Sequence, residues 1–400
     1  MKILIITSVF PYPLTSGGAQ ALFNMIDNLR FKHDIHLLFN QSGNNKISNM
    51  EQLQKKWPNV ELIPYRYIRQ LCYPQFLIDK AIRAFKLLFT PNNTHFKIER
   101  TLKPYGYYMS HDFTNFVNNI IKSRDINLVE VNFFPYLPIV NYLPSTIKKV
   151  FIHHEIRFVR NQRYLENIKL TNKEKKLMED VRNDEISNLN KYDKIITLTE
   201  EDRKTLINNG VKKSIEVSPA AINSEISEYN KWNGELTFIG GYGHFPNKEG
   251  IDWFLDNVAN KLNRNISLSI IGKGWPNEYE QRKTKIHLKG FVPALSSVAK
   301  DTIMIVPILT GSGMRMKILE AAAMGIPFIT TKVGVEGLLF QNDVSCLIAD
   351  TPDDFAVSLE KLMSDEELRR KLTSNASKIY LDNYSPKALS AIRNNIIESV

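Results

Sequence analysis

Short apolar, β-branched runs return along the whole chain, and a stretch with helical spacing follows most of them. KILIITS, DIHLLF, VELIP, NLVEVNFF, KKVFIHH and KIITLT lie in the first half, and ELTFIGG, ISLSIIG, IHLKGF, IMIVPI, PFITT and SCLIA in the second. Between them run AQALFNMIDNLR, NKEGIDWFLDNVANKL and MKILEAAAM, each with an apolar stripe at helical periodicity. Strands that are apolar on both faces need cover on both sides, and parallel neighbours need a long crossover, which a helix supplies. The alternation therefore predicts an α/β fold built on open, doubly wound parallel sheets.

The two halves open alike. ILIITSVFPYPLTSGGAQALFNMI and LTFIGGYGHFPNKEGIDWFLDNV each read as strand, glycine-containing loop and helix, the unit that begins a nucleotide-binding fold. A chain of 400 residues also exceeds the about 250 to 300 at which a single core stops growing. Two Rossmann-like domains are expected, residues 1–217 and 218–383, with the break near SPAAINSEISEYNKWNG, where apolar periodicity lapses. The last helix, within 384–400, is expected to pack back on the first domain.

Most helices start as helices should. TPDDFAVSLEKL and SDEELRRKL begin with N-cap residues and first-turn acids. GSGMRMKILEAAAMG breaks that pattern by placing Arg315 and Lys317 where the backbone dipole is already positive. With Ser312 as the N-cap, Arg315 falls at N3, a position that often holds glutamate. Two cations and the free amides at the carboxyl end of a strand suit a diphosphate. The plainer alternative is a solvated Arg315 and a Lys317 paired with Glu320 at i,i+3. Glu320 sits among alanines, where an unpaired carboxylate is costly to bury, and a ribose diol would satisfy it.

GSGMRMKILEAAAMGIPFITTKVGVEGL resembles the donor-binding segment of retaining glycosyltransferases of family 4, whose GT-B fold sets two Rossmann domains face to face. SVFPYPLTSGGAQALFNMI, KIITLTEEDRKTL, FIGGYGHFPNKEGIDWF and IIGKG extend the resemblance in order over nearly the whole chain. The family's two glutamates, with seven residues between them, map to Ser312 and Glu320, so the ribose contact is kept and the sugar-holding acid is replaced. Ser312 and the Gly313 amide would then offer hydrogen bonds to the donor sugar. The family's basic pair after the first strand of the second domain is represented here by Lys248 alone, which leaves Arg315 and Lys317 to meet the diphosphate.

The resemblance also implies donor-side or cleft roles for Gly17 and Gly18 in TSGGAQ, for Glu336 and Gly337 in VGVEGL, and for a histidine after the KKVFI strand. His154 is the closer match for that histidine and His153 is its buried neighbour. Thr199 and Glu200 resemble a cleft-facing helix start, for which ordinary N-capping is the stronger explanation. The catalytic set expected is His154, Arg315 and Lys317. The implied activity is transfer of a hexose from a nucleoside-diphosphate sugar to a hydroxyl, with retention, in surface polysaccharide or glycolipid synthesis. The alternatives are a catalytically silent sugar-nucleotide-binding partner subunit and a GT-B epimerase.

No Asp-x-Asp, Walker A or GxGxxG pattern occurs, and the eight histidines lack zinc-ligand spacing. The expectation is a metal-independent enzyme without a cofactor and without a nucleic-acid partner. Two cysteines, Cys72 and Cys346, make no disulfide framework and suit a reducing, cytoplasmic compartment. Because KILIIT stops at SVFPYP and no apolar run reaches about 20 residues, neither a signal peptide nor a membrane-spanning helix is expected.

The net charge of +10 points to anionic partners or to lysine-rich composition. Residues 66–103 hold eight basic and two acidic residues, and FLIDKAIRAFKLLF places Lys80, Arg83 and Lys86 along one side of a helix. That helix either lies on an anionic membrane surface, at the inner face of the plasma membrane and near a lipid-linked acceptor, or packs its apolar face inward.

Overall fold

The computed structural model describes residues 1–14, 16–41, 47–66, 98, 102, 109–166, 168–224, 227–229, 231–292, 295–311 and 313–400. Lys80, Arg83 and Lys86, which carry the membrane-surface expectation, lie outside the described residues, as do Cys72 and Ser312. Among the described residues no helix is long and apolar enough to cross a membrane.

Two sheets form the frame. The first contains β1 (Lys2–Thr7), β2 (Asp34–Asn40), β3 (Val60–Tyr65), β4 (Leu128–Asn132), β5 (Lys148–His153), β6 (Lys194–Thr197) and β7 (Ser214–Val217), in the spatial order β3-β2-β1-β4-β5-β6-β7. The second contains β8 (Glu235–Ile239), β9 (Ser267–Ile271), β10 (Lys285–Gly290), β11 (Ile303–Val306), β12 (Phe328–Thr330) and β13 (Leu347–Ile348), in the order β10-β9-β8-β11-β12-β13. Neighbouring strands in both sheets run parallel. Helices cover both faces of the first sheet, so Ile3, Leu4, Ile5 and Ile6 are all buried although successive side chains point to opposite faces.

Each sheet reverses its strand order once, between β1 and β4 and between β8 and β11. Such switch points open a crevice at the carboxyl ends of the strands. Both sheets turn these ends toward one another, and the loops that follow β1, β5 and β6 meet those that follow β11 and β12.

The structure differs from expectation at several local points. β7 was not foreseen, because SIEV is a four-residue edge strand with only Ile215 buried. The helix read over 247–262 is Phe245–Trp253, continued by a wider turn over Phe254–Val258 and a tighter one over Ala259–Lys261. The wide turn keeps Phe254, Leu255 and Val258 buried together.

The chain ends with helices Pro352–Ser364, Glu366–Asn383 and Pro386–Glu398. The second of these leans on the second domain, with Ser377 donating to the Ala322 carbonyl at 2.8 Å. The third lies against the first sheet, where Asn394 meets His33 at 3.2 Å and Lys194 reaches Ser399 at 2.6 Å.

Candidate active site between the two sheets

The helix that carries Lys317 and Glu320 spans Met316–Ala323, and its N-cap is Arg315. This corrects the expected start: Ser312 is not the N-cap and Arg315 is not at N3. The physical reason is the backbone, since Gly311 and Gly313 both adopt positive φ, at 115° and 79°, and right-handed helix geometry begins only after them.

Lys317 now stands at N2, half-buried in the helix's opening turn. Its ammonium donates to Asn247 Oδ1 at 2.7 Å and lies 4.1 Å from the centre of the Phe238 ring. The alternative pairing with Glu320 is not its contact. Loss of solvation, with the nearby charge of Arg315, brings Lys317 down to about 7, and Glu320 opposes the shift. Arg315 keeps a partly exposed edge, yet protein surrounds its guanidinium, which donates to the Gly313 carbonyl. Burial lowers its pKa, and Glu336 and Glu155 act against that.

Glu320 is 5% exposed and accepts from the Gln20 amide of the first domain at 2.7 Å. Burial raises it to about 7, with Gln20 and Lys317 pulling the other way. His244, in the loop after β8, is lowered to about 4 by lost solvation, with the charges of Lys317 and Arg315 adding to the effect. A cationic pair and a carboxyl group, all largely desolvated, thus share one helix end at the switch point of the second sheet. That is an expensive arrangement for a free protein and a favourable one for a polyanion with hydroxyl groups.

The first domain closes the other side. A Cβ on Gly17 would lie 3.1 Å from Met316 Cγ, and one on Gly18 would lie 3.3 Å from the Phe133 ring. Gly313 approaches so closely that a Cβ there would sit 2.5 Å from the carbonyl oxygen of His154. His154 stacks on Phe133 at 3.9 Å and 10°, and its Nε2 meets Asn132 Oδ1 at 2.8 Å. Burial, with Arg393 and His153 nearby, brings His154 down to about 3, so the imidazole is neutral at pH 7. His153 is 2% exposed and turns inward to Glu185 at 2.9 Å.

Glu336 is engaged rather than free. Arg163, from helix Arg157–Leu165 of the first domain, grips it with two nitrogens at 2.6 Å each and also reaches the Gly311 carbonyl at 2.6 Å. Gly337 has φ 75°, and a Cβ there would lie 2.4 Å from Thr199 Cγ2. Thr199 caps helix Glu200–Asn208 by accepting from the Asp202 amide at 3.1 Å. A small hollow, open to solvent, lies here, lined among others by Arg163, Thr199, Asp202, Gly313 and Glu336. Asp202 Oδ2 is buried in it without a hydrogen-bond partner, and burial raises its pKa.

Arg315, Lys317, Glu320, Gly313, His154, Gly17 and Gly18 therefore come together where the domains meet. Lys248 pairs with Asp252 one turn along its own helix. Gln20, Asn132, Arg163, Asp202 and Asn247 escaped the sequence reading. Gln20 was visible in TSGGAQ and Arg163 in the threefold spacing of RFVRNQR, but neither pattern names a partner in the other domain.

Residues 234–365 match the family of glycosyl transferases group 1. The two-domain architecture is the GT-B fold. Solved structures with it include Anabaena HepE in complex with UDP-glucose, with a TM-score of 0.70 at 12% identity and 100% of both chains covered. Sucrose-phosphate synthase from Thermosynechococcus elongatus gives 0.73 at 12% identity, over 100% of this chain and 98% of that one.

Among relatives in sequence, an uncharacterized 44.6 kDa protein in the cps region of Klebsiella pneumoniae is 20% identical over 98% of each chain. Glycosyltransferase 1 domain-containing protein 1 of Xenopus tropicalis is 28% identical over 91 residues, 23% of this chain and 26% of that protein. The GT-B fold accounts for the facing carboxyl ends, and the family match falls on the domain that holds Arg315, Lys317 and Glu320.

Proposed function

We propose that this chain is a retaining glycosyltransferase of family 4 that moves a hexose from a nucleoside-diphosphate sugar to a hydroxyl acceptor. The observation that carries the reading is the desolvated set Arg315, Lys317 and Glu320 on one helix turn at the switch point of the second sheet. The family match over residues 234–365 supports the transferase class. A solved GT-B neighbour in complex with UDP-glucose supports a nucleotide-sugar donor.

In this reading the diphosphate lies at the amino end of helix Met316–Ala323. Negative charge grows on the leaving phosphate as the glycosidic bond breaks, and Lys317, Arg315 and the free amides meet it. Fixed cations make a metal unnecessary for that step. Glu320 takes the ribose hydroxyls, exchanging Gln20 for them. The acceptor hydroxyl enters from the side of His154 and Gly17, on the face the diphosphate leaves, and the departing phosphate takes its proton. Retention follows from attack on that same face. The hydroxyl belongs to a glycan or a lipid-linked glycan, and residues 66–103 bring the enzyme to an anionic membrane surface.

The test is a thermal-shift and turnover screen with nucleoside diphosphates and their sugars. A ligand at 100 times its dissociation constant adds about 2.7 kcal/mol of stability. Arg315→Ala and Lys317→Ala are expected to lose the response. Unchanged affinity in both variants rejects the assignment. Binding without donor hydrolysis or transfer across a broad acceptor panel would make the chain a silent partner subunit, a reading that Ser312 in place of an acid would then explain.

A further inference from the structure

We infer that Arg393, Glu130 and Asn132 form a buried positioning relay that fixes His154 in one tautomer, with its Nδ1 lone pair left for a ligand hydroxyl in the cleft. The consequence for the ligand rests on the proposed function; the tautomer itself does not.

The relay is laid out by the fold. Helix Pro386–Glu398 lies on the first sheet, and Arg393, 3% exposed, reaches in to Glu130 Oε2 at 3.2 Å. Glu130, on β4 and 1% exposed, accepts at its other oxygen from the Asn132 amide at 2.8 Å. Asn132, fully buried two residues along the same strand, presents its own oxygen to His154 Nε2 at 2.8 Å.

Hydrogen-bond chemistry permits one direction through this chain. An ionised carboxylate beside a guanidinium has only lone pairs to offer, so Asn132 must turn its NH₂ to Glu130. Its carbonyl oxygen is then committed to His154, and an oxygen acceptor requires a hydrogen on Nε2. The neutral imidazole carries one hydrogen, which leaves Nδ1 as an acceptor. Nδ1 makes no hydrogen bond to the described residues, whereas His153 turns inward to Glu185.

A second, independent observation supports a site built for this ring. Phe133 joins the two parts of the relay and holds φ at 68°, a region that bulky side chains rarely occupy. Such strain persists where surrounding structure over-determines it, and here its result is the parallel stack on His154 at 3.9 Å. The pair Arg393–Glu130 is also a poor device for stability alone. Nε and Nη1 of Arg393 are buried without partners, and a well-packed apolar pair often replaces a buried ion pair at no cost. Its use is to orient Asn132.

The charged and titratable groups around His154 are Arg393 on the last helix, Glu130 on β4, and His153 with its partner Glu185. The cation favours a neutral ring, and Glu130 reaches His154 only through Asn132. Asn132→Asp would bring a carboxylate into direct contact and reverse the balance. His154 would then take up a proton, and lose its acceptor, at a higher pH than in wild type.

Long-range ¹⁵N–¹H NMR of the imidazole nitrogens in the full chain tests the relay without any substrate. Wild type is expected to show a single Nε2–H tautomer. Asn132→Asp is expected to raise the His154 titration by about two pH units, the usual effect of a neighbouring opposite charge. The double variant Glu130→Leu/Arg393→Met frees Asn132 to rotate, and His154 is then expected to show a mixture of tautomers while the protein stays folded.

In turnover, the double variant at neutral pH and Asn132→Asp at a pH below its raised His154 titration are expected to raise the KM of the sugar-bearing ligand about tenfold, the worth of one hydrogen bond. Their affinity for the bare nucleoside diphosphate should not change. An Nδ1–H tautomer in wild type, or a folded double variant with the wild-type tautomer, overturns the relay. A protein with the expected tautomer but no affinity for any nucleotide overturns the proposed function and leaves the relay standing.

Discussion

Gln20 Nε2 and Glu320 Oε1 lie 2.7 Å apart across the two domains, although 300 residues separate them in the chain. The amide holds a buried carboxyl group that a ribose diol would hold in the liganded protein. Gln20→Ala is therefore expected to destabilise the free protein by about 1–3 kcal/mol, the cost of an unsatisfied buried group. The ligand-induced thermal shift should grow, because binding no longer breaks a bond. Glu320→Gln is expected to weaken nucleoside diphosphates by about ten- to a hundredfold, the range for a hydrogen bond to a charged group. Calorimetric titration of both variants checks this, and equal affinities in all three proteins would place the ribose elsewhere.

Lys317 and Glu320 make the same helix turn sensitive to pH. Glu320 is raised from 4.5 to about 7, so its folded form resists losing a proton and stability falls as pH climbs from 4.5 to about 7. Lys317 is lowered from 10.5 to about 7, so its penalty is present at low pH and is relieved as pH climbs from about 7 to 10.5. Together the two groups give a stability trough near neutrality.

A bound diphosphate restores the charge on Lys317. Affinity is then expected to fall above pH 7, by at most about tenfold per unit, with proton uptake on binding. Phosphate ionisation, with a second pKa of about 6, is complete in that range and does not confuse the slope. Calorimetry at pH 8 in two buffers of different ionisation heat measures the uptake, and Lys317→Arg should flatten the slope. A flat slope in wild type would take Lys317 off the anion.

The parallel sheets were legible in the sequence because buried strands of this kind are continuous apolar runs, and twelve such runs, KILIITS to SCLIA, fall on twelve of the thirteen strands among the described residues. SIEV was hidden because an edge strand buries little and carries a weak pattern. The opening turn of the helix at 316 was misread for a conformational reason. A serine between two glycines looks like an N-cap, but the positive φ of both glycines delays the helix to Met316. The roles of Arg163, Asn132 and Gln20 could not be read. Their partners are remote in the chain and polar contacts of this sort leave no periodicity, so only the assembled domains reveal them.

Gly313 sets how closely the domains meet. Alanine there would combine an unfavourable φ of 79° with a Cβ 2.5 Å from the His154 carbonyl. The φ costs about 1–2 kcal/mol, and the clash is relieved most readily by parting the domains, since it lies between them. Gly313→Ala is expected to enlarge the radius of gyration in small-angle scattering and to reduce kcat/KM more than tenfold. An unchanged radius with full turnover would show that this approach is dispensable.

Arg163 makes a fork to Glu336 and a third bond to Gly311, yet both side chains of the ion pair keep about a third of their surface, at 30% and 35%. Screening by solvent leaves such a pair about 0–1 kcal/mol of stability. Arg163→Ala is accordingly expected to shift the melting temperature little and to lower kcat/KM at least tenfold, because it releases two loops that line the site. Lys at this position cannot reproduce the planar fork and should behave like Ala. A large loss of thermal stability with normal turnover would make the contact purely structural.

Asp202 offers a different signature. Its carboxyl is raised above 3.8, chiefly by burial, while Thr199, His153 and Arg315 favour the charged form and Glu336 disfavours it. A raised carboxyl costs stability that is absent below pH 3.8 and builds as pH rises through the folded value. Asp202→Asn should therefore be as stable as wild type at pH 3 and more stable at pH 8. If Oδ2 receives a sugar hydroxyl in the hollow beside Gly313, the same variant raises the KM for donor sugar or acceptor while nucleoside diphosphate affinity holds. Melting curves at the two pH values and steady-state kinetics separate the effects, and a gain in stability with no kinetic penalty would leave Asp202 outside the ligand site.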